Sequence, residues 1–467
     1  MPAKVRFSVE NAKFILLFNE IFIPSQPKRN DFSNFFVMKF QQHTALLIAF
    51  SMLSLVACKR DVFDPDAYVE VINESFPVNN IDQGHTWNLT QSHSTVVTAN
   101  PASVNDVQYV RILSGNPYRE ANVEILAEKT VAKGGTATLF YYAPQYQTQF
   151  FAAAVTASGQ YVVKAFTASQ ESVTFDNIDN SANQGSFNEP IYQTYTYCFE
   201  EDYPKPGDWD FNDCVLRIQK LPAAQPNEIR LRVSLAAVGA KKQIAAAIRL
   251  LDYVASDVSN VYIEEGRTFD GAFEENQKRQ FIESGALLLN GLNNEAVLNL
   301  FEDAHYALSP RLISPDKGGT TLRMFYNTSR NPDGSKHAQI APKTLTYVVQ
   351  LSNPRLIENF TLERIDPFIL EDFNSGKWEV HTFSYKASQV LRDLGSNETA
   401  TSNMMAWALK IPSATFRYPI EGQPLGFYKD GVLTGAYMEN NHSYGQWVVN
   451  HNSCLDWFRY PATGLVY

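Results

Sequence analysis

The chain has 467 residues, more than one ordinary domain needs, and carries a net charge of −10. No basic stripe stands out, which argues against a nucleic-acid partner, since phosphate contact needs clustered Lys and Arg. With 31 Phe, 23 Tyr, 23 Gly and 23 Pro, the composition favours strands and turns over helices.

The amino end reads as an export signal. Residues 39–58 start with Lys39, continue as an apolar run from Ala45 to Ala57, and end in Leu55-Val-Ala-Cys58. The run is too short for a spanning helix of about 20 apolar residues. The ending resembles a bacterial lipobox. That resemblance implies cleavage before Cys58 and lipidation of its sulfur, with the membrane as partner through several acyl chains, an anchor firmer than a single chain provides. Met38 directly precedes the signal, so residues 1–37 read as an upstream extension, 38–57 as the lipoprotein signal and 58–81 as a tether. The expected location is exported and lipid-anchored, at the outer membrane or cell surface.

Strand candidates then follow at short spacing: Val107–Leu113, Ala121–Leu126, Ala137–Tyr142, Gln149–Val155 and Gln160–Phe166, with turn residues between them. Residues 82–168 therefore predict a small immunoglobulin-like β-sandwich, and the Asn/Ser-rich stretch that follows, 169–194, a linker. The rest, 195–467, predicts a larger β-sandwich or jelly-roll-like domain with few short helices.

The chemistry is concentrated near the start of that larger domain. From Glu200 to Asp213 the chain carries six carboxylates and the amide of Asn212, broken by two prolines and Gly207. Asp208, Asp210 and Asn212 stand at positions 1, 3 and 5, a spacing that turns successive oxygens toward one hard cation. Glu200, Glu201, Asp208, Asp210, Asn212 and Asp213 are the candidate ligands. An EF-hand would need Gly at position 6 and Glu at position 12, where this chain has Asp213 and Gln219, so the loop is not an EF-hand. Oxygen-only ligands exclude soft metals, and magnesium seldom takes an all-protein cage. Calcium is the expected structural cofactor, with an affinity in the extracellular range of about 10⁻⁴–10⁻³ M. The competing reading is a solvated acidic turn with local Asx-type bonds. Cys198 and Cys214 bracket the loop and form either a disulfide or two half-buried thiols. No Cys-x-x-Cys pair occurs, so a zinc or thioredoxin-type site has no support.

Further along, Ile229–Leu235 alternates strictly between apolar and polar residues, and Ile244–Leu251 repeats with period two. Glu295–Ala307 has helical spacing and predicts one short helix, while Thr321–Tyr326 and Leu345–Leu351 predict strands. Asp366, Glu379 and His381 form either a ligand surface or an outward polar face, the commoner result of Glu-x-His on a strand. The last sixty residues are rich in Trp and Tyr, which suit a β core or a sugar-stacking surface.

Glu200-Glu201, Tyr203-Pro204, Gly207-Asp-Trp-Asp-Phe-Asn-Asp213, Ile365-Asp-Pro-Phe-Ile369, Trp378-Glu-Val-His381, Trp407 and Pro412 occur in that order. Together they resemble the LruC-domain lipoproteins of Bacteroidetes, whose main domain has no determined function. The resemblance spans roughly residues 195–460, and its specific part is the Gly-Asp-x-Asp-x-Asn-Asp core. Loops of that form in bacterial surface proteins imply calcium. Glu201, Cys214 and Phe383 depart from the family pattern, where Asp, an apolar residue and a Leu-Pro-type continuation are commoner. Any Cys198–Cys214 bridge would thus belong to this chain alone.

Three function classes remain. The leading one is a surface-anchored adhesion or binding protein, for a glycan or another surface protein, with a calcium-stabilised β domain and no catalytic residues. A carbohydrate-active hydrolase would need two carboxylates facing each other across a cleft. A structural subunit of a fimbria-like assembly would need donated edge strands.

Overall fold

The computed structural model describes residues 81–467 apart from 100–106, 132–133, 176–182, 202, 204–206, 270–280, 283–284, 310–324, 332–334, 338, 358–359, 374–375, 384, 387–404 and 430. The upstream extension, the signal, Cys58 and nearly all of the tether lie outside the described residues. The protein is mainly β, and the described residues all belong to one compact unit, Asp66–Tyr467.

Eight strands build the first sandwich: β1 (Thr90–Thr98), β2 (Val107–Leu113), β3 (Glu124–Thr130), β4 (Thr136–Pro144), β5 (Gln149–Thr156), β6 (Tyr161–Thr167), β7 (Ser172–Thr174) and β8 (Ile191–Tyr192). They form a three-stranded sheet ordered β4-β1-β7 and a five-stranded sheet ordered β6-β5-β2-β3-β8. Val97, Leu139 and Tyr141 from one sheet meet Val110, Ile112 and Phe150 from the other. Strands β7 and β8 fall within 169–194, the stretch expected to be a linker.

The larger sandwich uses β9 (Thr194–Phe199), β10 (Cys214–Leu221), β11 (Glu228–Ala237), β12 (Ala245–Val254), β13 (Val258–Ile263), β14 (Leu288–Asn290), β15 (Glu295–Phe301), β16 (Lys343–Leu351), β17 (Ile365–Phe373), β18 (Gly376–His381) and β19 (Ala408–Ile411). One sheet runs β13-β16-β11-β10-β9-β19 and the other β14-β15-β12-β17-β18. Alternation places Ile229, Leu231, Val233 and Leu235 of β11 inward, against Ala246, Ile248 and Leu250 of β12. Ala245, Ala247, Val297, Phe368 and Leu370 point the other way, into a second apolar layer with Phe281 and Ile282. The middle of the five-stranded sheet is thus covered on both faces.

The short helix expected within Glu295–Ala307 is present, but only at its end. Residues 295–301 form β15, and the helix α1 is confined to Ala304–Leu308, where Asp303 accepts a hydrogen bond from the His305 amide. Of the expected strand Thr321–Tyr326, residues 321–324 lie outside the described residues, and Tyr326 makes an isolated bridge to Val238.

After β19 the chain folds back over the outer face of the six-stranded sheet. It carries the hairpin β20 (Phe427–Lys429) and β21 (Val432–Thr434) and the helix α2 (Tyr444–Val449), capped by Ser443. Its tryptophans and tyrosines pack among one another: Tyr437, Tyr444 and Trp447 all lie within 6 Å of Trp457, centroid to centroid. The tryptophans of the tail, with Tyr437 and Tyr444, are therefore core, while Tyr460 stays exposed. No described helix is long and apolar enough to cross a membrane.

Candidate metal centre

The acidic stretch joins two neighbouring antiparallel strands, so its ends meet. Phe199 pairs with Cys214 across β9 and β10, and the Glu201 amide donates to Asp213 Oδ2 at 2.6 Å. Between these ends the loop alternates. Trp209 and Phe211 are fully buried in the aromatic layer under the carboxy-terminal segment, while Asp208, Asp210 and Asn212 turn the other way. The alternation requires Trp209 at φ 61° and Phe211 at φ 54°, a left-handed conformation that bulky residues rarely adopt. Each such residue costs about 1–3 kcal/mol, which burial of a large aromatic ring offsets by a similar amount.

The even-numbered side chains converge. Glu200, Asp208 and Asp210 each place a carboxylate oxygen so that all three oxygens lie within 4.8 Å of one another. Glu200 is held by the Phe211 amide, which donates to its Oε1 at 2.6 Å. Asp210 accepts from the Asn212 amide at 3.1 Å and from the Gly422 amide at 2.7 Å. Asn212 is completely buried, and its Nδ2 donates to the Pro419 carbonyl at 3.3 Å. Its Oδ1 receives no hydrogen bond from any described residue. Glu421, which the spacing of the loop does not reveal, brings a further carboxylate whose buried Oε2 is likewise without a hydrogen bond.

Glu201 and Asp213 brace the loop instead. Glu201 accepts from the Lys241 and Lys242 amides, both at 3.1 Å, and Asp213 holds the Glu201 amide. Of the six expected ligands, the described geometry gathers Glu200, Asp208 and Asp210, buries Asn212 with its Oδ1 against Gly239, and turns Glu201 and one oxygen of Asp213 to backbone.

Burial pushes Asp210 well above the usual carboxylate range, and the charges of Asp208, Glu421 and Glu200 push it further. Asp213 is raised the same way, by burial and then by Glu201 and Glu200. Glu421 is raised by burial, Asp208 and Glu201, against an opposing pull from Lys241. Carboxylates taken out of water beside one another need either protons or a cation. A calcium ion takes six to eight oxygens at about 2.3–2.6 Å, and this set is all oxygen, mixed acid and amide, from several chain segments. The residues fit a hard divalent cation.

The cysteines bracketing the loop are both buried free thiols. Cys198 pairs with Val215 and Cys214 with Phe199, so adjacent registers point the two sulfurs to opposite faces of the sheet. Cys198 packs in the aromatic layer and Cys214 in the sandwich core, which rules out the bridge.

The expectation of a ligand surface at Asp366, Glu379 and His381 is also corrected. All three are buried. His381 Nδ1 lies 2.8 Å from Asp366 Oδ2 and its Nε2 lies 3.1 Å from Glu379 Oε2. Arg249 Nη2 donates to Asp366 at 2.7 Å, and Phe368 stacks on the imidazole at 4.4 Å. Burial would depress the imidazole, but the two carboxylates override it and hold its pKa at about 9. The cluster is a charged knot inside the protein. It is out of reach of a substrate.

Comparison with known proteins gives a family and two solved structures, none described by a reaction. Residues 227–428 match the model of a family described as a domain of unknown function (DUF4842). No curated protein matches the chain. Among solved structures, the chain is similar to a "Putative lipoprotein" from Bacteroides ovatus at 15% identity, covering 77% of this chain and 99% of that one, with a TM-score of 0.47. A "Putative membrane anchored protein" from Corynebacterium diphtheriae matches at 10% identity over 69% of this chain and 59% of that one, with a TM-score of 0.15.

Proposed function

We propose that the protein is an exported, lipid-anchored envelope protein of the LruC-domain type, whose larger sandwich is held in shape by calcium and serves in adhesion or in binding a glycan or surface protein. The observation that carries the calcium reading is the convergence of Glu200, Asp208 and Asp210 oxygens within 4.8 Å, beside the buried Asn212 amide. The anchor rests on the signal and Cys58 in the sequence, and the LruC-domain assignment on the motifs from Glu200 to Pro412. The binding role follows from two sandwiches joined to an anchor, and the comparisons give no indication of an enzymatic activity.

Calcium here is structural. It would neutralise carboxylates that otherwise repel one another and would tie the loop between β9 and β10 to its surroundings. At calcium about 20-fold above the dissociation constant, binding stabilises the fold by about 1.8 kcal/mol. Chelator should lower the melting temperature by a few degrees and calcium should restore it, while an Asp210→Ala variant should not respond. A melting temperature indifferent to both reagents would sink the calcium reading. A glycan array and a hydrolysis screen, run side by side with calcium present, separate binding from catalysis.

A further inference from the structure

The carboxy-terminal segment is fastened to the acidic loop at three points. The Leu425 amide donates to the Trp209 carbonyl at 2.8 Å and the Gly422 amide to Asp210 Oδ2 at 2.7 Å. Asn212 Nδ2 reaches the Pro419 carbonyl at 3.3 Å. Beside these bonds, the Oε2 of Glu421 is buried without a hydrogen bond. That oxygen and the equally unsatisfied Oδ1 of Asn212 converge on Gly239. A β-carbon placed there would lie 1.8 Å from Asn212 Oδ1 and 2.8 Å from Glu421 Oε2. Asn212 is fully buried, so its amide oxygen has no route to bulk water. A buried oxygen left without a donor costs about 1–3 kcal/mol. Both oxygens lie within 2.8 Å of one position against Gly239, and the residue after Glu421, Gly422, bonds Asp210, so a cation drawn to the acidic loop is within reach of both side chains.

We propose that Glu421 and Asn212 complete the divalent-cation site begun by Glu200, Asp208 and Asp210, so that the cation clasps the carboxy-terminal segment 412–467 onto the loop between β9 and β10. The inference rests on the calcium reading above and adds a ligand from the far end of the chain, with a consequence for how the fold closes. Everything after β19 covers the outer face of the six-stranded sheet, and its aromatic layer stays dry only while the segment is held down. With the cation present, Glu421 is neutralised and the segment is pinned at Pro419–Leu425. Without it, the charges of Glu421, Asp208 and Asp210 repel one another, and that repulsion acts directly on the fastening. Loss of calcium should therefore loosen this segment before the two sandwiches.

Calorimetric titration of calcium into the chelator-treated protein tests the ligand, and trypsin digestion tests the clasp. Glu421→Gln keeps the size of the side chain and should weaken calcium binding by at least the roughly 10–100-fold that loss of an outer-sphere partner costs at metal sites. Glu439→Gln, at an exposed position of the same segment, should bind as the parent does. Chelator should speed cleavage at Arg417, Lys429 and Arg459 ahead of sites in the sandwiches, and calcium should restore protection. If the parent binds calcium and Glu421→Gln binds it equally well, the added ligand is wrong. If chelator leaves cleavage of the segment unchanged while the parent binds, the clasp is wrong. A parent that binds no millimolar calcium overturns the calcium reading itself. Should Glu421→Gln fail to fold, Glu421→Asp, which keeps the charge but shortens the reach, must still show the weakened binding.

Discussion

Asn212 Oδ1 points at the α-carbon of Gly239 so closely that a β-carbon there would lie 1.8 Å away. The Gly239 amide meanwhile donates to the Asn212 and Asp213 carbonyls at 3.0 and 3.2 Å. The glycine just beyond β11 is thus a wall of the acidic site, and its missing side chain is the space the oxygens occupy.

Gly239→Ala should therefore be costly although alanine is the smallest possible addition. Overpacking of this kind costs about 1–3 kcal/mol, and displacing Asn212 should also abolish the calcium-dependent rise in melting temperature. Urea unfolding with and without calcium reads both effects. An alanine variant that unfolds and responds to calcium like the parent would show that the site lies elsewhere.

The buried imidazolium makes a pH prediction. His381 has a folded pKa of about 9 against an unfolded value near 6.5. Its stabilising contribution is complete below pH 6.5 and is lost as the pH rises through 9. The groups around it are Asp366, Glu379, Arg249, the nearby Tyr385 and, through Arg249, Glu295. Unfolding free energy should fall between pH 6.5 and 9 in the parent and fall less in His381→Gln. That variant should also be less stable at pH 6.5 by up to about 3–5 kcal/mol, because Asp366 and Glu379 lose the imidazolium charge they share, Arg249 remaining beside Asp366. Parallel pH curves for parent and variant would remove His381 as the cause.

The cysteines predict indifference to reductant. Burial raises the thiols of Cys198 and Cys214 far above the ordinary range, and they sit on opposite faces of one sheet. Melting temperature should be the same with and without a reducing agent, and thiol reagents should reach these two only on unfolding. A drop in melting temperature on reduction would mean that a bridge forms after all.

The anchor makes the plainest prediction. Cys58→Ala should move the protein from the membrane fraction to the soluble fraction and block metabolic labelling with a fatty acid. Retention of label in the variant would exclude Cys58 as the acceptor.

What could be read from the chain follows its local chemistry. The strict alternation of Ile229–Leu235 announces β11 because one side of that strand is more exposed than the other. Strand β15 looked helical because it is buried on both faces, Leu298 into the sandwich core and Val297 into the outer layer. A doubly covered strand has no two-residue period to read. The charged trio at 366, 379 and 381 was visible as a pattern, but its depth was not, since an outer sheet face is a surface only until another layer covers it.

The sequence by itself determined a mainly β protein and pointed to an export signal and a cluster of candidate oxygen ligands, because alternation, turn residues and side-chain spacing are local properties. Tertiary structure decided which of those side chains converge. It turned Glu201 toward backbone, separated the cysteines by one step of register, and brought Glu421 and Gly239 to the acidic loop from distant parts of the chain. Coordination depends on where side chains end in space, and here that is set by how the carboxy-terminal segment folds back over the sheet.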